Sequence, residues 1–404
     1  MMRPGRRVAA LLVVSLATWL ASCRPRSEAP GARVDRALGR ALRSLIAAQS
    51  PDGAWRSSTY GVFKDGLSLT PTVLKAVAFG PDVEGSATAR RRAAEYLIAR
   101  VKADGSIDGG RFGMVYPVYT ASAAVIVLTF LNLPEGHRAR DAWLRELRRR
   151  QLNDDLGWEP GDPAYGGWGY SVEPPSKGEA FVVPANHVDA DLSSTLFAVG
   201  ALRIAGAAAD DPAIRKALVF IERCQNVAEN DRAGDPRFDD GGFFFTTTDP
   251  VRNKAGVAGT DRHGRTRYHS YGSATADGLR ALLRCGLAKD HPRVMAARKW
   301  LEAHFSASTN PGTFEAAREI DRDATYFYYA WSVAHAFRAL EIAEIDTGGR
   351  RIAWAEGLSS ELIRRQRGDG SWSNGFTASK EDDPLVATPF AAGALGICRT
   401  VLGR

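Results

Sequence analysis

The chain has 404 residues, 45% of them hydrophobic, which is enough for one large domain or two small ones. Its formal charge is +7, and removal of residues 1–22, which hold three Arg and no acid, leaves +4. So modest a balance over this length gives no argument for nucleic acid as a partner.

The N-terminus reads first. Arg3, Arg6 and Arg7 precede an apolar run over 8–20. The run is too short for a transmembrane helix and predicts a signal peptide. It closes on Leu20-Ala21-Ser22-Cys23, which resembles a bacterial lipobox. That resemblance implies a leader over 1–22, lipid on Cys23 and a short tether over 23–33. An ordinary signal peptide that contains a Cys is the alternative. Arg24 follows the Cys where an inner-membrane retention signal has Asp. The implied destination is the cell envelope, anchored to the outer membrane and facing the periplasm.

Beyond the tether a string repeats. Gln49-Ser50-Pro51-Asp52-Gly53-Ala54-Trp55 has the spacing of Gln366-Arg367-Gly368-Asp369-Gly370-Ser371-Trp372. Gln151 followed by Gly157-Trp158 is a looser copy. Ala103-Asp104-Gly105-Ser106-Ile107, Asp240-Gly241-Gly242-Phe243 and Asn310-Pro311-Gly312-Thr313-Phe314 are degenerate ones. Internal repetition dictates architecture. A helix ends at the Gln, the Gly takes a positive φ in the turn, and the aromatic folds back over the helix end. The Gln amide is placed to bond backbone groups that the turn leaves orphaned. The unit reads as a staple, with Trp55, Trp158 and Trp372 as its aromatic parts.

Two kinds of helix alternate around these turns. Amphipathic, Arg-rich segments are predicted at 33–49, 87–102, 138–151, 212–225, 292–305 and 349–366, with apolar steps such as Leu38, Leu42, Leu45 and Ile46. Segments apolar on nearly all sides follow at 70–79, 116–131, 189–205, 271–287, 324–342 and 385–401, and that pattern predicts burial all round. Six hairpins with polar outer and apolar inner members close most simply into an all-α (α/α)6 toroid spanning 34–404. Strand signals are weak throughout. Cys224, Cys285 and Cys398 lack metal-type spacing; they are small buried helix residues, or two of them pair and one thiol stays free.

The connections 152–188 and 226–270 are long for a compact domain and rich in aromatics, including Trp158, Tyr165, Trp168, Tyr170, Phe243, Phe244 and Tyr268. Loops of this length are usually functional or disordered, and their composition argues against disorder. In a toroid they fall on the face that carries the inner-helix N-termini. Candidate ligand contacts there are His187, Tyr116, Tyr119, His269, Tyr271, Asp323, Tyr326 and Trp331, with Asp189 and Asp191 as the acids. An aromatic wall suits carbocations, sugars or apolar chains. The bland reading of any single Tyr is core packing.

These turns resemble the repeats of the squalene–hopene cyclase and protein prenyltransferase β-subunit superfamily, over about residues 34–402. Gly166-Gly167-Trp168-Gly169-Tyr170 is similar to the superfamily's Gly-Gly-aromatic turns. The cyclases protonate an alkene with an Asp-x-Asp-Asp-Thr-Ala motif. Asp189-Ala190-Asp191-Leu192-Ser193-Ser194 matches its first and middle Asp, and the middle one is the proton donor; Leu192 replaces the third. The other reading is that Asp189 caps a helix and Asp191 is a first-turn charge. The prenyltransferase zinc set has no counterpart, and no cofactor or metal is implied. The resemblance implies an isoprenoid-like apolar ligand, bound or cyclised. A glycan-active enzyme on the same architecture and a non-catalytic scaffold for a protein partner are the alternatives.

Overall fold

The computed structural model describes residues 29–111, 113–177, 190–228 and 234–403. Outer and inner helices alternate along the chain: α1 (Pro30–Ala47) and α2 (Thr70–Phe79), α3 (Ser86–Ala99) and α4 (Pro117–Leu131), α5 (His137–Arg148) and α6 (Leu192–Ile204), α7 (Pro212–Arg223) and α8 (Gly272–Arg284). Then come α9 (Pro292–His304), a short α10 (Glu319–Ala324), α11 (Tyr326–Ala339), α12 (Trp354–Arg365) and α13 (Pro384–Leu402). The inner members α2, α4, α6, α8, α11 and α13 each pack on the next, and α13 packs back on α2. That contact closes the ring, so the fold is an all-α toroid of six hairpins. Its first helix begins at Pro30, inside the segment expected as tether, because Pro is well placed at a helix start.

Among the described residues four short strands lie in the connections. β1 (Val257–Thr260) pairs antiparallel with β2 (Thr266–Tyr268), and β3 (Ile345–Asp346) with β4 (Arg351–Ile352). They form no layer of the fold. α13 is long and apolar enough to cross a membrane by composition, yet it packs between α11 and α2 as a ring member. Cys224, Cys285 and Cys398 are buried free thiols, and burial pushes the thiols of Cys285 and Cys398 up to about 12.

The repeat works as a staple with four parts. Gln49 Nε2 donates to Gly53 O and to Ala89 O of the next outer helix, both at 2.9 Å. Gln366 does the same with Gly370 O and Ala37 O, also at 2.9 Å. Trp55 Nε1 donates to Leu45 O at 2.7 Å, and Trp55 N to Thr70 Oγ1 at 3.0 Å. Trp372 repeats this with Leu362 O and Thr388 Oγ1. An inner-helix Thr is therefore part of the unit.

In the third repeat the staple is Trp168, not Trp158. Gln151 Nε2 reaches Gly166 O and Ala213 O, each at 2.8 Å, and Trp168 bonds Leu147 O and Thr195 Oγ1. Gly166 has φ +86, and a Cβ there would lie 1.9 Å from Lys216 O. An insertion between Gln151 and its Gly hides this copy in the sequence. Trp158 instead donates to Pro175 O within the inserted loop.

Candidate functional site

The N-terminal halves of all six inner helices line one cavity of about 420 Å³. Its wall includes Thr72 of α2, Tyr119 of α4, Ser193 and Phe197 of α6, Asp277 of α8, Tyr328 of α11 and Phe390 of α13. The connections supply the roof, with Phe63, Tyr170, Phe245, Lys254, Lys380 and Glu381. The convergence follows from topology: parallel inner helices bring all their first turns to one face.

Tyr116 is held in the left-handed region, φ 58°, at the N-cap of α4. A bulky residue there is strained, and such strain persists only where the surroundings over-determine it. Here the ring meets Phe63, Tyr119 and Tyr170 at centroid distances of 5.8, 6.5 and 6.0 Å, and Lys380 Nζ stands 5.5 Å over it.

Asp191 caps α6. Its Oδ1 accepts from Ser194 N at 2.7 Å and from Ser193 Oγ at 2.8 Å, and its Oδ2 from Ser194 Oγ at 2.7 Å. The carboxyl is fully buried. Burial pushes it up to about 6, against the pull of those three donors. Capping and a raised pKa coexist here, because desolvation acts on the same group that the helix needs. Asp191 stands behind the cavity wall and reaches it through Ser193, whose Oγ lies 2.5 Å from Tyr119 OH.

Three further acids line the cavity, Glu381, Asp277 and Asp321. Glu381 accepts from the first-turn amides of α11, Phe327 N at 2.9 Å and Tyr328 N at 2.7 Å, and from Asn374 Nδ2 at 3.0 Å. Burial pushes it up to about 8. Asp277 accepts from Tyr328 OH at 2.6 Å and from Ser332 Oγ, with Arg280 Nη1 at 3.5 Å; burial raises it. Among the described residues no group of three or more His, Cys, Asp or Glu could hold a metal ion.

No family model matches the chain, and no curated protein matches it in sequence. Solved structures do match. The apo type II terpene cyclase MstE from Scytonema aligns at a TM-score of 0.53 and 12% identity, over 91% of this chain and 99% of that one. A variant of the same cyclase in complex with geranylgeranyl dihydroxybenzoate (substrate) aligns at 0.52 and 12%, over 92% and 98%. A glycosidase in complex with glucose aligns at 0.50 and 11%, over 92% and 98%. The chain folds as a terpene-cyclase-like α/α toroid.

Within this toroid the expected site residues separate. Tyr116, Tyr119 and Tyr271 line the cavity, and Asp191 lies behind it. Trp331 sits one layer deeper, against Phe197, Tyr328 and Phe390 at 5.4, 5.8 and 5.6 Å. Tyr326 turns outward: its OH donates to Ala307 O at 2.7 Å and Arg365 covers its ring at 3.7 Å. Asp323 is exposed, and its carbonyl accepts from Asn374 Nδ2 and from Thr325 N. His269 is half-buried beside the β2 hairpin, with its pKa lowered by burial. His187 and Asp189 lie outside the described residues, as does Cys23. Tyr170, Phe197 and Phe390 were not among the sequence candidates for ligand contact. Phe197 and Phe390 lie midway along apolar helices, where nothing local tells a barrel lumen from a helix interface.

Proposed function

We propose that the aromatic cavity binds an isoprenoid-like apolar ligand, and that Asp191 supplies a proton for its cyclisation by way of Ser193 and Tyr119. The observation that carries the reading is the wall itself: nine aromatic side chains, drawn from five inner-helix starts and three connections, enclose about 420 Å³. A cavity in this size range, mostly apolar with a few polar groups, is the usual form of a small-molecule site. Aromatic faces also stabilise a developing carbocation. The Asp191–Ser193–Tyr119 chain links the buried acid to that space. The alignment with a terpene cyclase supports the architecture on which the reading stands.

A glycan-active site needs two free carboxyl groups facing each other. Glu381 and Asp277 are instead tied into helix amides and an Arg–Tyr–Ser network; of the lining acids that leaves Asp321, a single carboxyl and not a facing pair, which weighs against that alternative. Lipid on Cys23 and an envelope location belong to the same proposal and rest on the Leu20 to Cys23 string.

Farnesol and geranylgeraniol are the direct probes. Binding by calorimetry, weakened by Phe390→Ala and Tyr116→Ala, is the expected result. Cyclised products by gas chromatography, abolished by Asp191→Asn, would establish the reaction. Absence of binding to either polyprenol would overturn the ligand class.

A further inference from the structure

Below the aromatic cavity the barrel changes character. Inner helices were expected to be apolar on nearly all sides, yet α8 carries Asp277, Arg280 and Arg284 at successive turns, and α2 carries Lys75. These groups meet in the lumen. Lys75 Nζ stands 5.1 Å over the Phe197 ring and 4.9 Å over Trp331, while the Arg280 guanidinium lies 4.3 Å over the same Trp331. Arg284 Nη1 donates to Leu196 O at 3.1 Å and presses on Gly200, where a Cβ would lie 2.3 Å away. His335 packs edge-on against Trp331 at 5.0 Å.

The charges do not balance. Asp277 is the one carboxylate paired with this group among the described residues, at 3.5 Å from Arg280, and it is shared with Tyr328 and Ser332. Among the described residues, neither Lys75 nor Arg284 has a carboxylate within ion-pair distance. Arg280 is 3% exposed, and its Nη2 is buried without a hydrogen-bond partner. Buried cations need partners, and cation–π contact compensates only part of the lost hydration. Lys75, Arg284 and His335 remain partly exposed.

We propose that this lower lumen, between Lys75, Arg280 and Arg284, is a binding site for an oxyanion, a phosphate or carboxylate that is either free or the head group of an amphiphile. Such a group offers acceptors to the orphaned Arg280 Nη2 and to the Lys75 ammonium, and neutralises their mutual repulsion. The clustered cations also act on one another's protonation. Lys75 is pushed down to about 7, first by burial and then by Arg280 and Arg284; His335 is held well below its usual value by burial and by Arg280, Arg284 and Lys75. Binding of an anion should therefore draw a proton onto Lys75 on the alkaline side of neutrality. Tyr328 and Asp277 are the other titratable groups facing this space, and Tyr328 stays protonated because its pKa is raised well above the usual value.

The probes are inorganic phosphate, dodecyl phosphate and dodecanol, titrated calorimetrically into the chain in two buffers of different ionisation enthalpy. Binding of both phosphates, with proton uptake, assigns a free oxyanion site. Binding of dodecyl phosphate alone assigns a head-group site. Lys75→Met should weaken either by about tenfold or more, the loss of one charge-assisted hydrogen bond, and leave dodecanol unaffected. Failure of both phosphates to bind, or full affinity in Lys75→Met, would overturn the proposal. Proton uptake by the unaltered chain tests it even if the variant does not fold. Loss of dodecanol and polyprenol binding with phosphate binding retained would instead count against the apolar cavity and leave this site standing.

Discussion

Asp191 and Tyr119 are joined through one hydroxyl. Ser193 Oγ donates to Asp191 Oδ1 at 2.8 Å and lies 2.5 Å from Tyr119 OH, so a carboxyl with no exposure to solvent is connected to a cavity that it does not line. The same carboxyl holds the first turn of α6. Its two roles can be separated by titration.

Asp191 is raised to about 6 from an unfolded value near 3.8. The native state then binds more protons than the unfolded state between these values, so this group's contribution is present at low pH and lost as pH rises through about 6. Relative to Asp191→Asn, the unaltered protein should lose up to about 3 kcal/mol between pH ~4 and pH ~7. Urea unfolding of both proteins across that range measures the difference. A flat difference would show that Asp191 is ionised throughout and unsuited to proton donation.

The staples carry the ring's stability. Trp55, Trp168 and Trp372 are fully buried, with indole N–H groups bonded to the preceding outer helix. Each Trp→Ala should cost about 3–5 kcal/mol. Trp158→Ala should leave the ring closed, because its partner Pro175 lies in the same loop. Thermal unfolding that ranks Trp158→Ala with the other three would reject the assignment of the third staple to Trp168.

The contacts that cross the seam between the ends of the chain include a partly buried amide bridge and a surface ion pair. Gln366 Nε2 serves Ala37 O and Gly370 O from a partly buried position, while Arg399 pairs with Asp35 at the surface. Gln366→Ala leaves two carbonyls unsatisfied and should cost about 1–3 kcal/mol. Asp35→Ala removes an exposed pair and should cost less than about 1 kcal/mol. The reverse order would mean that closure depends on the ion pair.

Lipid on Cys23 is checked in cells. On the proposed lipid anchor, replacement by Ala should release the protein from the membrane fraction. Membrane association unchanged in Cys23→Ala would remove the lipobox reading.

Much of the ring was legible locally. The order of outer and inner helices follows from where the apolar stripe is narrow, as at Leu38, Leu42 and Leu45, and where it covers the whole helix, as over α4. Gln49 to Trp55 and Gln366 to Trp372 marked the turns because each part of the staple is close in sequence. The third copy was misplaced because fourteen residues separate Gln151 from Gly166 and a nearer Gly-Trp pair imitates it. Thr70, Thr195 and Thr388 were missed as partners, since each contacts its Trp only across the connection that separates turn from inner helix.

Helix periodicity and turn chemistry act over a few residues, and so the hairpins, their number and the face that carries the inner-helix N-termini could be read locally. Which side chains share the lumen is set by the closed ring. Tyr116 and Tyr271 face the cavity while Tyr326 turns to Arg365, although all three begin inner helices. Lys75, Arg280 and Arg284 look like scattered charges along the chain, and they become neighbours only because ring closure brings α2, α6 and α8 around one axis. The direction in which a helix presents a residue depends on how it is rotated against its two neighbours, and that rotation is set by packing around the whole ring.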